Sequence, residues 1–160
     1  MPPEEGMYKA NCDASVDRIR RRIGFGIIIR NCKGEVMASC AQTVKANLGL
    51  KSAKLTAMLK SILFSRDCGL APCLFEMDEA NVVKWILDGD YRDSEYGLIL
   101  DDIESLISNF TRGNFTHTGK HTNRVAHGLA TFALQSSEDT YWIDEFPSCV
   151  RKDVEGDMSS

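Results

Sequence analysis

No stretch of the chain approaches 18 consecutive apolar residues, so none reads as a transmembrane helix. The opening MPPEEGMYKA has neither the apolar core of a signal peptide nor the Arg/Ser-rich character of an organelle presequence. The expectation is an intracellular protein, nuclear or cytoplasmic. No CxxC pair occurs among the six cysteines, Cys12, Cys32, Cys40, Cys68, Cys73 and Cys149, and no Cys/His spacing matches a zinc site. They are expected as reduced thiols, several of them in apolar runs where cysteine behaves as a small hydrophobe. Internal repeats and low-complexity linkers are absent from the sequence. General basic excess is lacking too: the net charge is −4 and the pI about 5.4, which argues against a broadly basic nucleic-acid binder.

What is present is one domain's worth of chain, 160 residues with 43% hydrophobic content, enough for a sizeable core. The charge is unevenly spread. Residues 1–70 carry 12 Lys+Arg against 6 Asp+Glu, and residues 71–160 carry 7 against 17. Four arginines, Arg18, Arg20, Arg21 and Arg22, fall within five residues. Acids dominate from Asp88 to Glu104, where Asp88, Asp90, Asp93, Glu95, Asp101, Asp102 and Glu104 face Arg92 alone.

Periodicity supplies the elements. Residues 8–15 alternate, with Tyr8, Ala10 and Cys12 on one face and Lys9, Asn11 and Asp13 on the other, which is a strand signal. A charged turn over 16–22 leads to the β-branched run 23–29. The tight turn Asn31–Gly34 leads to a third strand over 35–43. Leu55, Leu59, Ile62 and Leu63 form one helical stripe, with Gly69 as a stop. A short buried strand over 73–77 ends at Asp78. Two helices follow, the first carrying Val82, Val83, Ile86 and Leu87 and stopped by Gly89, the second carrying Ile99, Ile103, Leu106, Ile107 and Phe110. Residues 114–118 suggest a last strand, and Ala126, Leu129, Ala130 and Ala133 a last helix capped by Thr122 or Asn123. The expected fold is α/β: a five-stranded mixed sheet, three antiparallel strands then two parallel, flanked by helices. The domain is expected over residues 7–150, with flexible tails at 1–6 and 151–160.

Right-handed crossovers bring the later strands beside the first, and ligands in such sheets sit at strand ends near the switch in strand order. Asp13, closing the first strand, and Asp78, closing the fourth, are the acids placed to meet there. The plainer reading makes them a strand end and a helix cap.

Four blocks now carry a resemblance: K-A-N-C-D-A-S (9–15), I-G-F-G-I-I-I-R-N-C-K-G (23–34), F-E-M-D-E-A-N-V-V (75–83) and N-R-V-A-H-G-L-A (123–130), followed by the pair Trp142 and Pro147. In this order the chain resembles the plant ribonuclease H-like domain, found at the end of retroelement reverse transcriptases and as free-standing genes. The resemblance implies a ribonuclease H-like fold and cleavage of the RNA strand of RNA–DNA hybrids. It also implies four carboxylates holding two Mg²⁺ ions, one to activate water and one to stabilise the leaving oxygen.

Mapped onto this chain, Asp13 and Asp78 keep two of those catalytic, metal-binding positions. The family's A-E-x-x-A block reads A-K-L-T-A here, putting Lys54 at the acid's place; its N-x-x-A-D block reads N-R-V-A-H, putting His127 at the other. An ammonium between two carboxylates can take a cation's place, so Lys54 is expected to pair with Asp13 and Asp78. The plainer reading of Lys54 is a solvated lysine, and of His127 a semi-exposed helix residue that could at most ligate a softer metal. His117 matches a mobile-loop histidine of the fold or a plain strand end.

The arginine turn is a candidate phosphate contact or a solvated turn. A basic protrusion that relatives place after the second helix is replaced here by acids. Three functions follow. The first is a nucleic-acid-binding ribonuclease H-like domain with a degenerate metal site and weak or lost hydrolysis. The second is an active hybrid ribonuclease with altered metal use. The third is a protein-interaction scaffold that binds no nucleic acid. Mg²⁺ is the expected cofactor if the chain is active, and none otherwise. An RNA–DNA hybrid, weakly held, is the expected partner of a monomer with no membrane association.

Overall fold

A computed structural model of the chain describes residues 2–88, 94–108 and 114–159. The alternation in the first third becomes three long antiparallel strands: β1 (Tyr8–Asp17), β2 (Arg22–Arg30) and β3 (Val36–Lys45). β1 runs two residues beyond its expected end, so the charged turn shrinks to residues 18–21. Between β2 and β3, Gly34 takes a φ of 81°, open to glycine without a Cβ penalty. The Asn31 side-chain oxygen accepts the N–H groups of Lys33 and Glu35, both at 3.0 Å, holding the turn.

Helix α1 (Leu50–Asp67) ends at Gly69, whose φ of 71° closes the C-terminus. Then follow β4 (Cys73–Met77), α2 (Ala80–Asp88), α3 (Gly97–Ser108), β5 (Asn114–His117) and α4 (Arg124–Gln135). Gly89, Asp90, Arg92, Asp93 and Phe110 lie outside the described residues.

The sheet has six strands rather than five, in the order β5-β4-β1-β2-β3-β6. The addition is β6 (Thr140–Ile143), antiparallel to β3. Trp142 on β6 sets its ring 5.9 Å from Phe132, centroid to centroid, and covers the α4 side of the sheet. Residues 151–159, expected as a tail, form helix α5, whose Val154 is fully buried against Ile28, Val125, Leu129 and Val150. Two apolar residues, Val154 and Met158, in an otherwise polar nine-residue run are too weak a periodic signal to announce a helix.

Helices cover both faces of the sheet. On the α1 face, Ile23, Phe25, Ile27 and Ile29 of β2 join Ala10, Cys12 and Ala14 of β1 in the main core. On the opposite face α4 crosses β2 at Gly24 and Gly26. A Cβ on Gly26 would stand 2.2 Å from the Ala126 carbonyl oxygen, so only glycine permits this approach. All six cysteines are free thiols. Cys12, Cys40 and Cys73 are buried, and burial pushes the Cys73 thiol up to about 12, which leaves it inert as a nucleophile.

Candidate functional site

β4 pairs with β1 only from Tyr8 to Asn11, so β1 continues past the end of its parallel neighbour. That step leaves Asp13, opposite Gly26 on β2, beside the residue that follows β4, Asp78. Lys54 enters from the first turns of α1 on its buried side, between Ala53 and Leu55. Its Nζ stands 3.0 Å from Asp78 Oδ1 and 3.4 Å from Asp13 Oδ1. From the opposite face, α4 brings His127 Nδ1 to 3.0 Å from Asp13 Oδ2. Asp13 Oδ1 also accepts the Ala14 backbone N–H at 2.9 Å. All four positions singled out in the sequence therefore meet, and Lys54 bridges the two carboxylates.

Burial divides the cluster. Asp13, Lys54 and Asp78 side chains are nearly closed to solvent, whereas His127 is 64% exposed. Burial pushes the Asp13 carboxyl above its ordinary value. The Lys54 ammonium pulls it down and the neighbouring Asp78 adds to the rise. Burial works against the Lys54 charge, but the facing Asp13 and Asp78 outweigh it, and its pKa is raised. Lys54 is thus a charged counter-ion to a carboxylate whose burial works against its charge.

Two Mg²⁺ ions would need several hard oxygen ligands around each. Here two carboxylates are already paired with an ammonium, and the third donor is an imidazole, a softer ligand. Among the described residues no group of three or more His, Cys, Asp or Glu is arranged to hold a metal. The residues present do not fit a pair of Mg²⁺ ions.

Beside this cluster sits a polar network to which the sequence pattern assigns no role. Asn11 Nδ2 donates to Glu76 Oε1 and to Asn123 Oδ1, both at 3.2 Å. Asn123 Nδ2 donates to the Cys12 carbonyl at 3.0 Å, and Thr116 donates to Glu76 Oε2 at 3.3 Å. Lys9 Nζ is 3.2 Å from Glu76 Oε2. Asn123 does stand at the N-cap of α4, but its side chain makes no cap bond and instead locks α4 to β1. The signal was the polar alternate face of β1; its burial depends on α4, which lies more than 100 residues away in the chain.

Arg18, Arg20 and Arg21 are exposed on the β1–β2 turn around Ile19, itself 96% exposed. Asp17 Oδ1 accepts the N–H groups of Ile19 and Arg20 and shapes the turn. Arg22 separates from this set. Its guanidinium donates to Thr43 Oγ1 at 3.0 Å, to the Leu134 carbonyl at 3.3 Å and to the Ser136 carbonyl, tying β2 to the end of α4. The exposed cations of the run are therefore three. His117 ends β5 and is exposed. Asp88 ends α2, and Asp101, Asp102 and Glu104 lie exposed on α3. No helix among the described residues is long and apolar enough to cross a membrane.

Among known proteins, the chain superposes on RNase H1 from the halophilic archaeon Halobacterium salinarum NRC-1 at a TM-score of 0.74. The two are 21% identical, over 81% of this chain and 98% of that one. LC11-RNase H1 in complex with an RNA/DNA hybrid gives 0.70 at 17% identity, over 80% and 96%. The native protease-reverse transcriptase of prototype foamy virus gives 0.61 at 18% identity, over 84% of this chain and 21% of that one. Identities this low establish a shared fold, ribonuclease H-like, and no more. No curated protein matches. The family model described as reverse transcriptase-like matches residues 11–133, taking in the strands and helices that carry Asp13, Lys54, Asp78 and His127. With the fold and that match together, the chain belongs to the reverse transcriptase-like family, which has the ribonuclease H-like fold.

Proposed function

We propose that the chain is a nucleic-acid-binding ribonuclease H-like domain of the RNA–DNA hybrid class, with a degenerate metal site and hydrolysis weak or lost. The observation that carries this reading is the Lys54 ammonium seated between Asp13 and Asp78. Where relatives of this class gather carboxylates for Mg²⁺, this chain supplies its own cation. The substitution of His127 for the family's last acid works in the same direction: its imidazole gives Asp13 a hydrogen-bond partner in place of another hard ligand.

Binding rests on Arg18, Arg20 and Arg21. Asp17, beside that turn, lies four residues along β1 from Asp13, about 13 Å at ordinary strand rise. A nucleic-acid backbone crossing the strand ends would so meet the arginines with a second phosphate. The acidic surface of α3 opposes wider electrostatic attraction, so the expected affinity is weak, and with three arginines its salt dependence is modest.

The second reading, hybrid cleavage with altered metal use, draws on His127 reaching Asp13 from an open surface, where a softer divalent ion has access. One assay separates the two: cleavage of an RNA–DNA hybrid with Mg²⁺ and with Mn²⁺, by wild type, Lys54→Glu/His127→Asp and Asp13→Asn. Background cleavage by wild type and cleavage by the double variant are expected. Wild-type cleavage that Asp13→Asn abolishes would overturn the reading in favour of the second. Hybrid affinity at low salt, weakened by Arg18→Ala/Arg20→Ala/Arg21→Ala, is the expected binding result; none at low salt leaves the interaction scaffold.

A further inference from the structure

The outer edge of the sheet, remote from Asp13, has the features of a peptide site. β6 is the last strand, with β3 on one side only. The Asp144 N–H donates to the Met37 carbonyl at 2.9 Å, which makes 144 and 37 a hydrogen-bonded pair. By antiparallel alternation the pairs Trp142–Ser39 and Thr140–Ala41 are bonded likewise. Tyr141 and Ile143 therefore turn their N–H and C=O groups away from β3, toward the open edge. Their side chains are 54% and 64% exposed, unusual for large apolar groups.

Those side chains stand over the α1 face and wall a groove of about 410 Å³. Leu63 and Phe64 of α1 form its other wall, and the Phe64 and Tyr141 rings sit 6.0 Å apart, centroid to centroid. An apolar trench beside an open strand edge suits an extended segment. Its main chain would continue the sheet on β6 and alternate side chains would drop into the trench.

Charge selects the occupant. Glu138 and Asp139 precede β6, Asp144 and Glu145 follow it, and all four are exposed. Asp67 lines the groove as well, 3.8 Å from Arg66 Nε, and the one cation in the groove's lining, Lys60, sits 5.2 Å from the centre of the Phe25 ring. A second copy of this chain would bring acids against acids at the strand ends, which disfavours self-pairing. We propose that β6 and this groove form a docking site for an extended, basic peptide segment of another protein, with apolar residues at alternate positions between Lys/Arg flanks.

The probe is a fluorescein-labelled nonapeptide, Lys-Arg-Val-Thr-Val-Thr-Val-Arg-Lys, titrated against the full chain by anisotropy. Two companions share its core, one with Glu at the four basic positions and one N-methylated at alternate backbone amides. Saturable binding of the basic peptide below about 1 mM is expected, with both companions at least about tenfold weaker. Ile143→Pro removes one outward N–H but no bond to β3, and should weaken binding about tenfold or more. Glu138→Lys/Glu145→Lys should favour the acidic peptide over the basic one. Four results would overturn the proposal: no saturation, equal affinity for the N-methylated peptide, indifference to both variants, or a dimer of the unliganded chain that Ile143→Pro dissociates in sedimentation velocity.

Discussion

Under α1 the two central strands present Ile23, Phe25, Ile27, Ile29, Ala10, Cys12 and Ala14; under α4 the same strands present Gly24, Gly26 and Ile28 beside Asn11 and Asp13. The first face is dry and interlocked, and each side chain contributes through apolar area removed from water, at about 25 cal/mol per Å². The second places helix backbone directly on glycines, holds a smaller apolar cluster around Ile28, Leu129 and Val154, and adds hydrogen-bonded amides and ions toward the strand ends. Stability thus draws mainly on one side of the sheet, while the candidate site is assembled on the other and at its end. Alternation along a single strand separates the two tasks by one residue at a time.

Phe25→Ala should show the largest effect. It empties the middle of the apolar face and is expected to cost about 3–5 kcal/mol in urea unfolding. A cost no greater than that of a polar-face variant would break the contrast between the faces.

Lys54→Ala comes next, at roughly 3 kcal/mol near neutral pH, because Asp13 and Asp78 lose their buried counter-charge. Its pH dependence sharpens the comparison. Burial raises the Asp13 carboxyl, so the folded state takes up that proton before the unfolded state does. Lowering the pH toward the carboxylate range should therefore return part of the variant's lost stability relative to wild type. Wild type behaves differently at the other extreme. The raised Lys54 contributes fully below the ordinary lysine pKa, and that contribution disappears as the pH climbs through the folded value. Urea midpoints across the pH range check both directions.

Asn123→Ala should cost about 1–3 kcal/mol, since the Cys12 carbonyl and the Asn11 amide each lose a buried partner. Amide exchange should quicken at the start of α4 and along the neighbouring part of β1. His127→Ala should be the mildest, under about 1 kcal/mol, because its pair with Asp13 is open to water. A larger loss would mean that the imidazole supports the fold and not only the carboxylate it touches.

Periodicity suffices to place the first five strands and four of the helices, and topology alone brings Asp13 and Asp78 to one end of the sheet. The place of Lys54 beside them is legible only through the family resemblance, which aligns it with an acid of the metal site; periodicity alone reads it as a solvated lysine. Besides helix α5, three features escape pattern. β6 is four residues long, and its exposed Tyr141 and Ile143 mimic a surface loop. Arg22 belongs by sequence to a cationic turn, yet its position at the start of β2 sends it under the end of α4. Asn123 carries the signature of a cap, and the competing acceptor, the Cys12 carbonyl, is found only once α4 docks. In each case a partner distant in sequence decides the residue's use, and local preference is silent about distant partners.

The bridging ammonium has a consequence for how the domain meets its surroundings. A diffusible divalent ion ties a fold to the ion's concentration, because anything that binds only the native state adds stability by mass action. Lys54 is delivered by the chain itself, one per molecule, and no chelator can strip it or competing ion dilute it. On the proposed reading, thermal unfolding should accordingly be indifferent to EDTA and to millimolar Mg²⁺, since a tethered charge is permanent where a bound ion is adjustable.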